Sequence, residues 1–475
     1  MSSSPPPDPS VTLLSPDAGS FRDPTSRVYV DGDTVWRGLS SVALADFAQL
    51  AASRFYAEAL AAGDIVATER VDPPAGLDHW AGALRHERVT TLSYPYEWSF
   101  EMLRDAARLQ LRLTRAAVAE RIITKDASSY NVQFRGTRPV FIDVGSFERL
   151  RPEPWPGYGQ FCELFLNPLV VQALTGVPFQ PLLRGRVRGL SAGTTAALIG
   201  GRGKLTKGVF TNVRLLARAE ERHASRDDER DVKGELQRAG FGPALIEAQL
   251  KNMAKAIDGL SWDKDHSEWS GYSNRSHYTD LDLRAKADFV TAVVGAGARP
   301  ALVLDLGAND GHFSRTALAA GAEAVVAVDN DDLVIDRLYR SLQAEGETRI
   351  LPLVLDLSDP SPALGWRSRE RPSFVERVRP DLVLCLAVVH HLALTNTVPL
   401  DEIVAFLREF DAPLVVEFPH RDDVMAARLL GRKRDGLFDA YDQPQWEAAL
   451  APRFAVEHQV TLPSGTRTLY AVAPR

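Results

Sequence analysis

The stretch ALVLDLGANDGHFSR, residues 301–315, decides the fold of the C-terminal half of this 475-residue chain. An apolar run over residues 301–304 leads to Asp305, and a turn follows from Gly307 to Gly311. The residues after the turn are compatible with a helix. A strand, a tight turn and a helix in this order predict the opening unit of a nucleotide-binding α/β fold.

The two glycines of this turn lie four residues apart, whereas a dinucleotide fingerprint has the pattern G-x-G-x-x-G. Asp305 precedes the first glycine by two residues, and Asp310 lies inside the turn. Two carboxylates beside a pyrophosphate would repel it, whereas an adenosyl-sulfonium cofactor brings an amino group and a positively charged sulfur. The turn therefore favours a cationic ligand.

Further apolar segments follow the turn, and helical segments separate them, which predicts a doubly wound α/β sheet. The last segment contains a Pro-Ser-Gly turn and predicts a terminal antiparallel hairpin. The pattern D-x-G-x-x-x-G, the V-A-V-D that follows it and this order of strands resemble the class I S-adenosylmethionine-dependent methyltransferases, with a Rossmann-like sheet over residues 270–475. The segments after the turn are 323–331, 349–360, 380–392, 412–423 and 453–474.

The resemblance implies that the chain binds S-adenosylmethionine and releases S-adenosylhomocysteine. The turn would surround the methionine part of the cofactor. The end of the second strand would contact the ribose, and the end of the third strand would contact the adenine. The end of the fourth strand would face the methyl-transfer zone. In chain order, the implied cofactor residues are Asp305, Gly307, Ala308, Asn309, Gly311, Asp329, Asn330, Asp356, Leu357 and Ala387. The turn departs from the family at residues 308–310, where many relatives have a third glycine.

Three side chains beyond the strand ends are candidates for a catalytic base: His391, Glu417 and His420. Methyl transfer is an in-line displacement at an already activated carbon, so alignment can supply much of the catalysis. A base is needed only if the acceptor arrives protonated, and whether one is used stays open. Each candidate can equally be a hydrogen-bonded polar residue at a strand end.

An arginine-rich connection over residues 360–380 separates the third and fourth strands. Two interpretations are open. It is either a solvated loop or a lid whose Arg367, Arg369 or Arg371 contacts an anionic acceptor.

The N-terminal half, residues 21–264, opens with a predicted β-hairpin, followed by one predicted helix over residues 41–62, and continues mainly helical. Its informative stretch is 122–147, where Asp126 and Asn131 have the spacing D-x-x-x-x-N and a two-strand pattern leads to Asp143. This stretch resembles the C-terminal lobe of the protein-kinase fold. The resemblance implies a mainly helical α+β kinase-like domain in which these three residues would handle ATP and magnesium.

The departures from the kinase pattern are serious. The sequence has no glycine-rich phosphate loop before this region, and Lys125 is its first lysine. Thr124 stands in place of the kinase histidine, and an arginine such as Arg37 or Arg54 could replace the missing lysine in charge but not readily in geometry. Three interpretations stay open: a kinase-like scaffold without catalysis, an active atypical kinase, or an unrelated fold with Asp126 and Asn131 as turn and cap residues.

Composition sets the remaining expectations. With 45% hydrophobic and 25% charged residues, the chain is a globular protein of more than one domain. We divide it into a disordered Ser/Pro tail (1–20), the kinase-like domain (21–264) and the methyltransferase domain (265–475). The net charge of −7 argues against nucleic acid as a partner but leaves a local basic patch open.

The sequence has neither a typical signal peptide nor an apolar run long enough for a membrane span. No Cys/His spacing indicates a metal site. Its two cysteines, Cys162 and Cys385, lie in apolar contexts and suggest reduced thiols in a cytoplasmic protein. The pattern does not indicate an oligomeric state.

Together these features predict a methyltransferase that acts on oxygen or nitrogen of a small-molecule or glycan/lipid-linked acceptor. The alternatives are a bifunctional kinase-methyltransferase, an RNA methyltransferase and a non-catalytic sensor of the adenosyl cofactor.

Overall fold

The computed structural model describes residues 14–201, 242–262, 264, 279–434 and 436–475. The predicted tail over 1–13 and the predicted domain boundary at 265 lie outside these residues. Residues 14–20, which we also assigned to the tail, contact the first strand. The amide of Asp17 donates to the carbonyl oxygen of Val28 at 2.8 Å, and the Val28 amide donates to Ser20 Oγ at 2.8 Å.

The N-terminal half begins with an antiparallel sheet of order β1-β2-β4-β3. Its strands are β1 Ser26–Asp31, β2 Thr34–Leu39, β3 Thr68–Val71 and β4 Gly82–His86. The predicted hairpin is confirmed, because β1 and β2 pair from Ser26↔Leu39 to Asp31↔Thr34. Gly32 in the connecting turn has φ +53°, a conformation that glycine adopts without steric cost.

Helices make up most of the remaining N-terminal half. They are α1 Ser41–Ala51, α2 Arg54–Ala62, α3 Phe100–Ala119, α4 Tyr158–Phe161, α5 Asn167–Thr175, α6 Gln180–Gly185, α7 Ala192–Ile199 and α8 Pro243–Asp258. The sequence predicted one helix over residues 41–62, but Ser53 interrupts it. The Ser53 side chain accepts from the Tyr56 amide and starts a second helix as its N-cap. The long helix α3 is capped in the same way by Ser99.

Two short antiparallel ladders follow α3. The strands are β5 Ile122–Thr124, β6 Val132–Arg135, β7 Arg138–Phe141 and β8 Phe147–Arg149. β5 pairs with β8, and β6 pairs with β7, so the predicted two-strand segment between Asn131 and Asp143 is present.

The C-terminal half is a seven-stranded sheet of order β11-β10-β9-β12-β13-β15-β14. Its strands are β9 Leu302–Leu306, β10 Ala324–Asp329, β11 Ile350–Val354, β12 Leu382–Cys385, β13 Leu414–Pro419, β14 Phe454–Thr461 and β15 Arg467–Pro474. Its helices are α9 Asp280–Gly295, α10 His312–Ala320, α11 Asp332–Glu345, α12 Phe374–Arg377, α13 Leu400–Arg408, α14 Val424–Leu430 and α15 Gln443–Leu450.

The strand directions confirm the predicted doubly wound sheet with a terminal antiparallel hairpin. Strands β9 to β13 pair in parallel, whereas β15 is antiparallel to both β13 and β14. All five residues of β9 are buried, as expected for a central strand covered on both faces. The strand order reverses between β9 and β12, and such a switch point opens a crevice at the carboxyl ends of the strands.

The two halves pack against each other through polar contacts that are buried. The Glu101 amide on α3 donates to Asp336 Oδ1 on α11 at 2.8 Å, and Asp336 is fully buried. Gln172 Nε2 on α5 donates to Asp332 Oδ2, also on α11, at 3.2 Å. Separating the halves would leave such groups without these partners, so this interface is part of the folded structure.

In the described part of the chain, every helix falls short of the length and apolar character that crossing a membrane requires.

Candidate functional site

The turn between β9 and α10 has a backbone conformation that depends on its glycines. Gly307 and Gly311 have φ +77° and +75°, and Asn309 has φ +48°. The amides of Gly307 and Ala308 both donate to the carbonyl oxygen of Val328 at 2.9 Å, which fixes the turn against β10. A Cβ atom at Gly307 would lie 2.4 Å from Val388 Cγ2. Only glycine therefore fits position 307 without a displacement.

Asp305 lies under this turn and is almost fully buried. Its Oδ2 accepts a hydrogen bond from Ser314 Oγ on α10 at 2.6 Å. Burial raises the pKa of Asp305 to about 6, although the Ser314 hydrogen bond opposes the shift. Asp305 thus joins the strand to the helix on either side of the turn.

Asp329 ends the neighbouring strand and is oriented by two backbone amides. Its Oδ2 accepts from Asn309 at 3.0 Å and its Oδ1 from Asp331 at 3.1 Å. Burial raises the pKa of Asp329 to about 6, and these hydrogen bonds oppose the shift. The next residue, Asn330, is exposed. The turn and the end of β10 therefore form one connected unit at the carboxyl edge of the sheet.

The residues after β11 continue this edge. The Leu355 amide donates to the carbonyl oxygen of Asp329 at 2.8 Å, which places the segment beside β10. Asp356 is exposed and accepts from the Ser358 amide at 2.8 Å, while Leu357 is half-buried. The implied ribose and adenine residues are therefore brought together on neighbouring strands.

On the other side of the switch point, β12 leads into an irregular segment. Ala387 has φ +58°, an uncommon conformation for a residue with a Cβ atom. His390 is fully buried, and His391 is half-buried and begins a π-helical turn, His391–Thr395. The two imidazole centroids are 4.0 Å apart. Of the two neighbours, only His391 retains solvent access.

Glu417 does not have the environment of a catalytic base. It is fully buried in β13, with Lys286 Nζ 2.6 Å from Oε2 and Arg467 Nη1 2.9 Å from Oε1. Burial alone would raise the pKa of Glu417, but the two cations outweigh it and lower the pKa to about 2. A carboxylate this weakly basic and held on both oxygens is a poor proton acceptor. We correct its expected role to that of a charge partner.

Sequence reasoning missed Lys286 and Arg467, the two cations of this network. Arg467 also contacts Asp423, with Nε 2.7 Å from Oδ2. Helical periodicity offered a partial signal for Lys286, because a buried face of α9 passes through it. By contrast, His420 is half-buried, and its Nε2 lies 2.9 Å from Thr468 Oγ1. His391 and His420 remain the two base candidates with solvent access.

The arginine-rich connection divides into two parts. The Arg371 guanidinium stacks on Tyr130 at 3.8 Å, and Arg377 forms a buried ion pair with Glu97. Both partners belong to the N-terminal half, so these arginines connect the two halves. Arg371, one of the three arginines that the lid interpretation offered, contacts Tyr130 here. Arg367 and Arg369 are exposed.

The three kinase-like residues lie near one another in the N-terminal half. Burial and the nearby Asp143 raise the pKa of Asp126 to about 6. Arg37 is the residue that pairs with Asp143, its Nη2 lying 2.8 Å from Oδ1. Asn131 Nδ2 is buried and lacks a hydrogen-bond partner within the described residues. One carboxylate oxygen of Asp143, which the resemblance would make a magnesium ligand, is thus paired with an arginine.

Nowhere among the residues that the structure describes do three or more His, Cys, Asp or Glu side chains form a group that could hold a metal ion.

Comparison with known proteins gives one relative along nearly the whole chain. The nodulation protein NoeA of Rhizobium meliloti (strain 1021) is 33% identical over 460 residues, which cover 95% of each protein. The chain belongs to the NoeA family. The match to NoeA extends over both halves, so the N-terminal half is part of the family's architecture. No family profile matches the sequence.

Solved structures resemble part of this NoeA-family chain. The N-methyltransferase NodS from Bradyrhizobium japonicum WM9, in complex with S-adenosyl-L-homocysteine, matches with a TM-score of 0.31 and 14% identity over 44% of this chain and all of NodS. The bifunctional kinase-methyltransferase WbdD matches with a TM-score of 0.29 and 19% identity over 44% of this chain and 42% of WbdD. With scores this low, neither similarity contributes to the functional argument.

Proposed function

We propose that this NoeA-family chain transfers a methyl group from S-adenosylmethionine to an oxygen or nitrogen of a small-molecule or glycan/lipid-linked acceptor. The observation that carries the proposal is the position of Asp329. It ends β10, the parallel strand next to β9, and the Asn309 and Asp331 amides orient it. A carboxylate at this place can accept the hydroxyl groups of a ribose.

The residues around the turn fit the charge of this cofactor. Asp305, Asp310 and Asp329 place carboxyl groups at the turn, which suits a ligand with an ammonium and a sulfonium and disfavours a pyrophosphate. The turn presents its backbone without side-chain bulk at Gly307 and Gly311, both of which have a positive φ. Asn330, Asp356 and Leu357 extend the proposed contacts along the edge toward the adenine.

When bound, S-adenosylmethionine supplies a methyl group on an electron-poor sulfur. The chain must then align the acceptor with that carbon and exclude water. Such alignment can lower the barrier to the displacement by a large part. For an acceptor that arrives protonated, we assign proton removal to His391 or His420, since both are imidazoles with solvent access. Ala387 leaves room beside the methyl-transfer zone.

Calorimetry with S-adenosylhomocysteine tests the cofactor site. We expect the wild type to bind and Asp329→Ala and Asp305→Ala to weaken binding strongly. Glu58→Ala, an exposed carboxylate on α2, is the matched control and should bind as the wild type does. Undiminished binding in both site variants would refute the assignment. Transfer of radiolabelled methyl into a cell extract then separates an enzyme from a cofactor sensor, because a sensor transfers none.

For the N-terminal half, we propose a scaffold without phosphoryl transfer. The ion pair between Arg37 and Asp143 supports this interpretation over the bifunctional one, because a guanidinium already neutralises the acid that would hold magnesium. RNA remains the less favoured acceptor because the chain carries a net charge of −7. The two cysteines are free and buried, which agrees with the proposed cytoplasmic location.

A further inference from the structure

A groove of about 500 Å³ lies between the segments that follow β12 and β13. One wall carries Ala393, Val398 and Leu400, and the other Leu437, Phe438 and Tyr441. We call it the β12/β13 groove. Its volume is within the range of small-molecule sites, and its walls are mainly apolar.

The groove lies on the side of the sheet where the methyl acceptor is expected. Apart from Ala387, which follows β12, the candidate cofactor residues lie at the carboxyl ends of β9, β10 and β11, on one side of the switch point. The side of β12 and β13 is left for the acceptor, and the segments that follow these two strands build the groove. The groove begins two residues after His391, and the Tyr441 hydroxyl on its other wall donates to the carbonyl oxygen of Pro419, next to His420, at 2.7 Å.

The wall after β13 is held in place by specific contacts. Arg421 Nη1 donates to the carbonyl oxygens of Phe438 and Tyr441. The Tyr441 ring packs 5.0 Å from Phe418, which stacks on Trp446 at 5.4 Å. By contrast, the Leu437 side chain at the rim is 61% exposed. A fixed aromatic wall with an exposed apolar rim is suited to contact another apolar group.

The charge of the lining selects among ligands. Among the described residues that line the groove, Asp401 is the only one with a charged side chain. It lies in the first turn of α13 and is exposed. Phosphate and sulfate groups would find a carboxylate in place of the Arg or Lys that recognises them.

We infer that the β12/β13 groove binds an uncharged alkyl chain or similar apolar part of the methyl acceptor. This inference rests on the proposed function. It narrows the acceptor to an amphiphile whose polar end reaches the candidate cofactor residues at the carboxyl edge of the sheet. It disfavours nucleic acid and other polyanions as acceptors.

The test uses n-octyl β-D-glucoside below its micelle concentration as the probe, with saturation-transfer NMR on the full chain. We expect transfer to the octyl protons in the wild type. Ala448→Trp and Ala440→Trp add bulk at exposed lining positions and should abolish most of that transfer. Ala57→Trp, at an exposed position of α2, is the matched control and should retain it.

Two comparisons complete the test. Octyl phosphate should bind about threefold more weakly than octyl glucoside, and Asp401→Asn should remove most of this difference. Calorimetry with S-adenosylhomocysteine should give the same affinity in the wild type and in both filled variants. Octyl transfer that persists in both filled variants would overturn the inference while leaving the proposed function intact. Failure of the wild type to bind S-adenosylhomocysteine would instead refute the proposed function.

Discussion

The phenolic hydroxyl of Tyr339 donates a hydrogen bond to Asp105 Oδ2 at 2.9 Å and lies 3.1 Å from the carbonyl oxygen of Thr137. Tyr339 is on α11 and fully buried, whereas both partners belong to the N-terminal half. Helix α11 also follows directly on the strand that ends in Asp329. The helix that packs against the N-terminal half is thus the one that follows the proposed ribose acid.

Tyr339→Phe should lower the free energy of unfolding by about 1–3 kcal/mol, because it removes the hydroxyl that donates to the half-buried Asp105 carboxylate. Urea denaturation followed by circular dichroism measures the change. The matched control is Tyr470→Phe, whose hydroxyl bonds to Glu447 within the C-terminal half at 3.0 Å. Because α11 follows directly on the strand that ends in Asp329, loss of the Tyr339 contact should also shift Asp329. Of the two variants, only Tyr339→Phe should therefore weaken S-adenosylhomocysteine binding. Equal affinities in the two variants would limit the Tyr339 contact to stability.

The buried pair of Lys286 and Glu417 should stabilise the fold. Glu417→Gln removes the carboxylate that lies 2.6 Å from the buried Lys286 ammonium, so it should cost about 3–5 kcal/mol. Lys286→Met should cost less, because Glu417 keeps Arg467 at 2.9 Å. The double variant should cost less than their sum, since Arg467 keeps its second partner, Asp423. Urea unfolding of the four proteins provides the cycle. Strictly additive costs would contradict the coupling.

The acid stability of the protein should reflect the lowered pKa of Glu417. A shift from 4.5 to about 2 contributes about 3 kcal/mol of stability, fully present above pH 4.5 and lost as the pH falls toward 2. Glu417→Gln should therefore flatten the fall in stability between pH 4.5 and 2. A series of melting temperatures across this range, compared with Glu58→Gln, measures the effect. An unchanged slope in Glu417→Gln would mean that other groups govern acid unfolding.

Binding of S-adenosylhomocysteine should weaken in mild acid. The pKa values of Asp329 and Asp305 are both about 6, and the ionised Asp329 is the form that accepts from ribose hydroxyls. One pH unit below this value, about a tenth of the carboxyl groups is ionised, so affinity at pH 5 should be roughly tenfold lower than at pH 7.5. Calorimetry at the two values measures the ratio. Asp329→Asn should bind weakly with a smaller pH dependence.

Gly307→Ala should weaken both the fold and cofactor binding, because the new Cβ would overlap Val388 in a left-handed backbone conformation. Adding Val388→Ala should recover part of the loss. The matched control is Gly346→Ala, which has φ +70° but open space around its Cβ position. That control should show only the backbone cost of about 1–2 kcal/mol. A loss at Gly307→Ala no larger than in the control would contradict the overlap.

ATP with magnesium should leave the melting temperature unchanged if Arg37 already neutralises Asp143. Differential scanning fluorimetry with and without millimolar ATP and magnesium measures the melting temperature, and S-adenosylhomocysteine serves as the positive control. Stabilisation by ATP and magnesium that Asp143→Ala abolishes would instead favour the bifunctional interpretation.

Much of the C-terminal fold could be predicted because its signals are local. The run before Asp305, the positive-φ turn at Gly307 and Gly311 and the Pro-Ser-Gly hairpin each depend on neighbouring residues. The break between α1 and α2 was missed, because periodicity continues across Ser53 while its side chain caps the second helix.

The site could be predicted only in part. Alternation and strand ends located Asp305, Asp329 and Glu417 at one edge of a sheet, but they did not distinguish a ligand acid from a charge partner. That distinction depends on Lys286, which lies 131 residues before Glu417 in the chain. The role of Arg371 could not be predicted for the same reason, because its contact, Tyr130, belongs to the other half of the chain.

The sequence by itself determined the succession of strands along the chain, the glycine turn and the acids near the strand ends, because these follow from residue patterns within a few positions. Only the tertiary structure decided that Glu417 is neutralised by two cations, that Asp143 pairs with Arg37 and that α11 joins the two halves. A side chain's burial and charge partners are set by distant segments, and they determine its pKa and its chemistry.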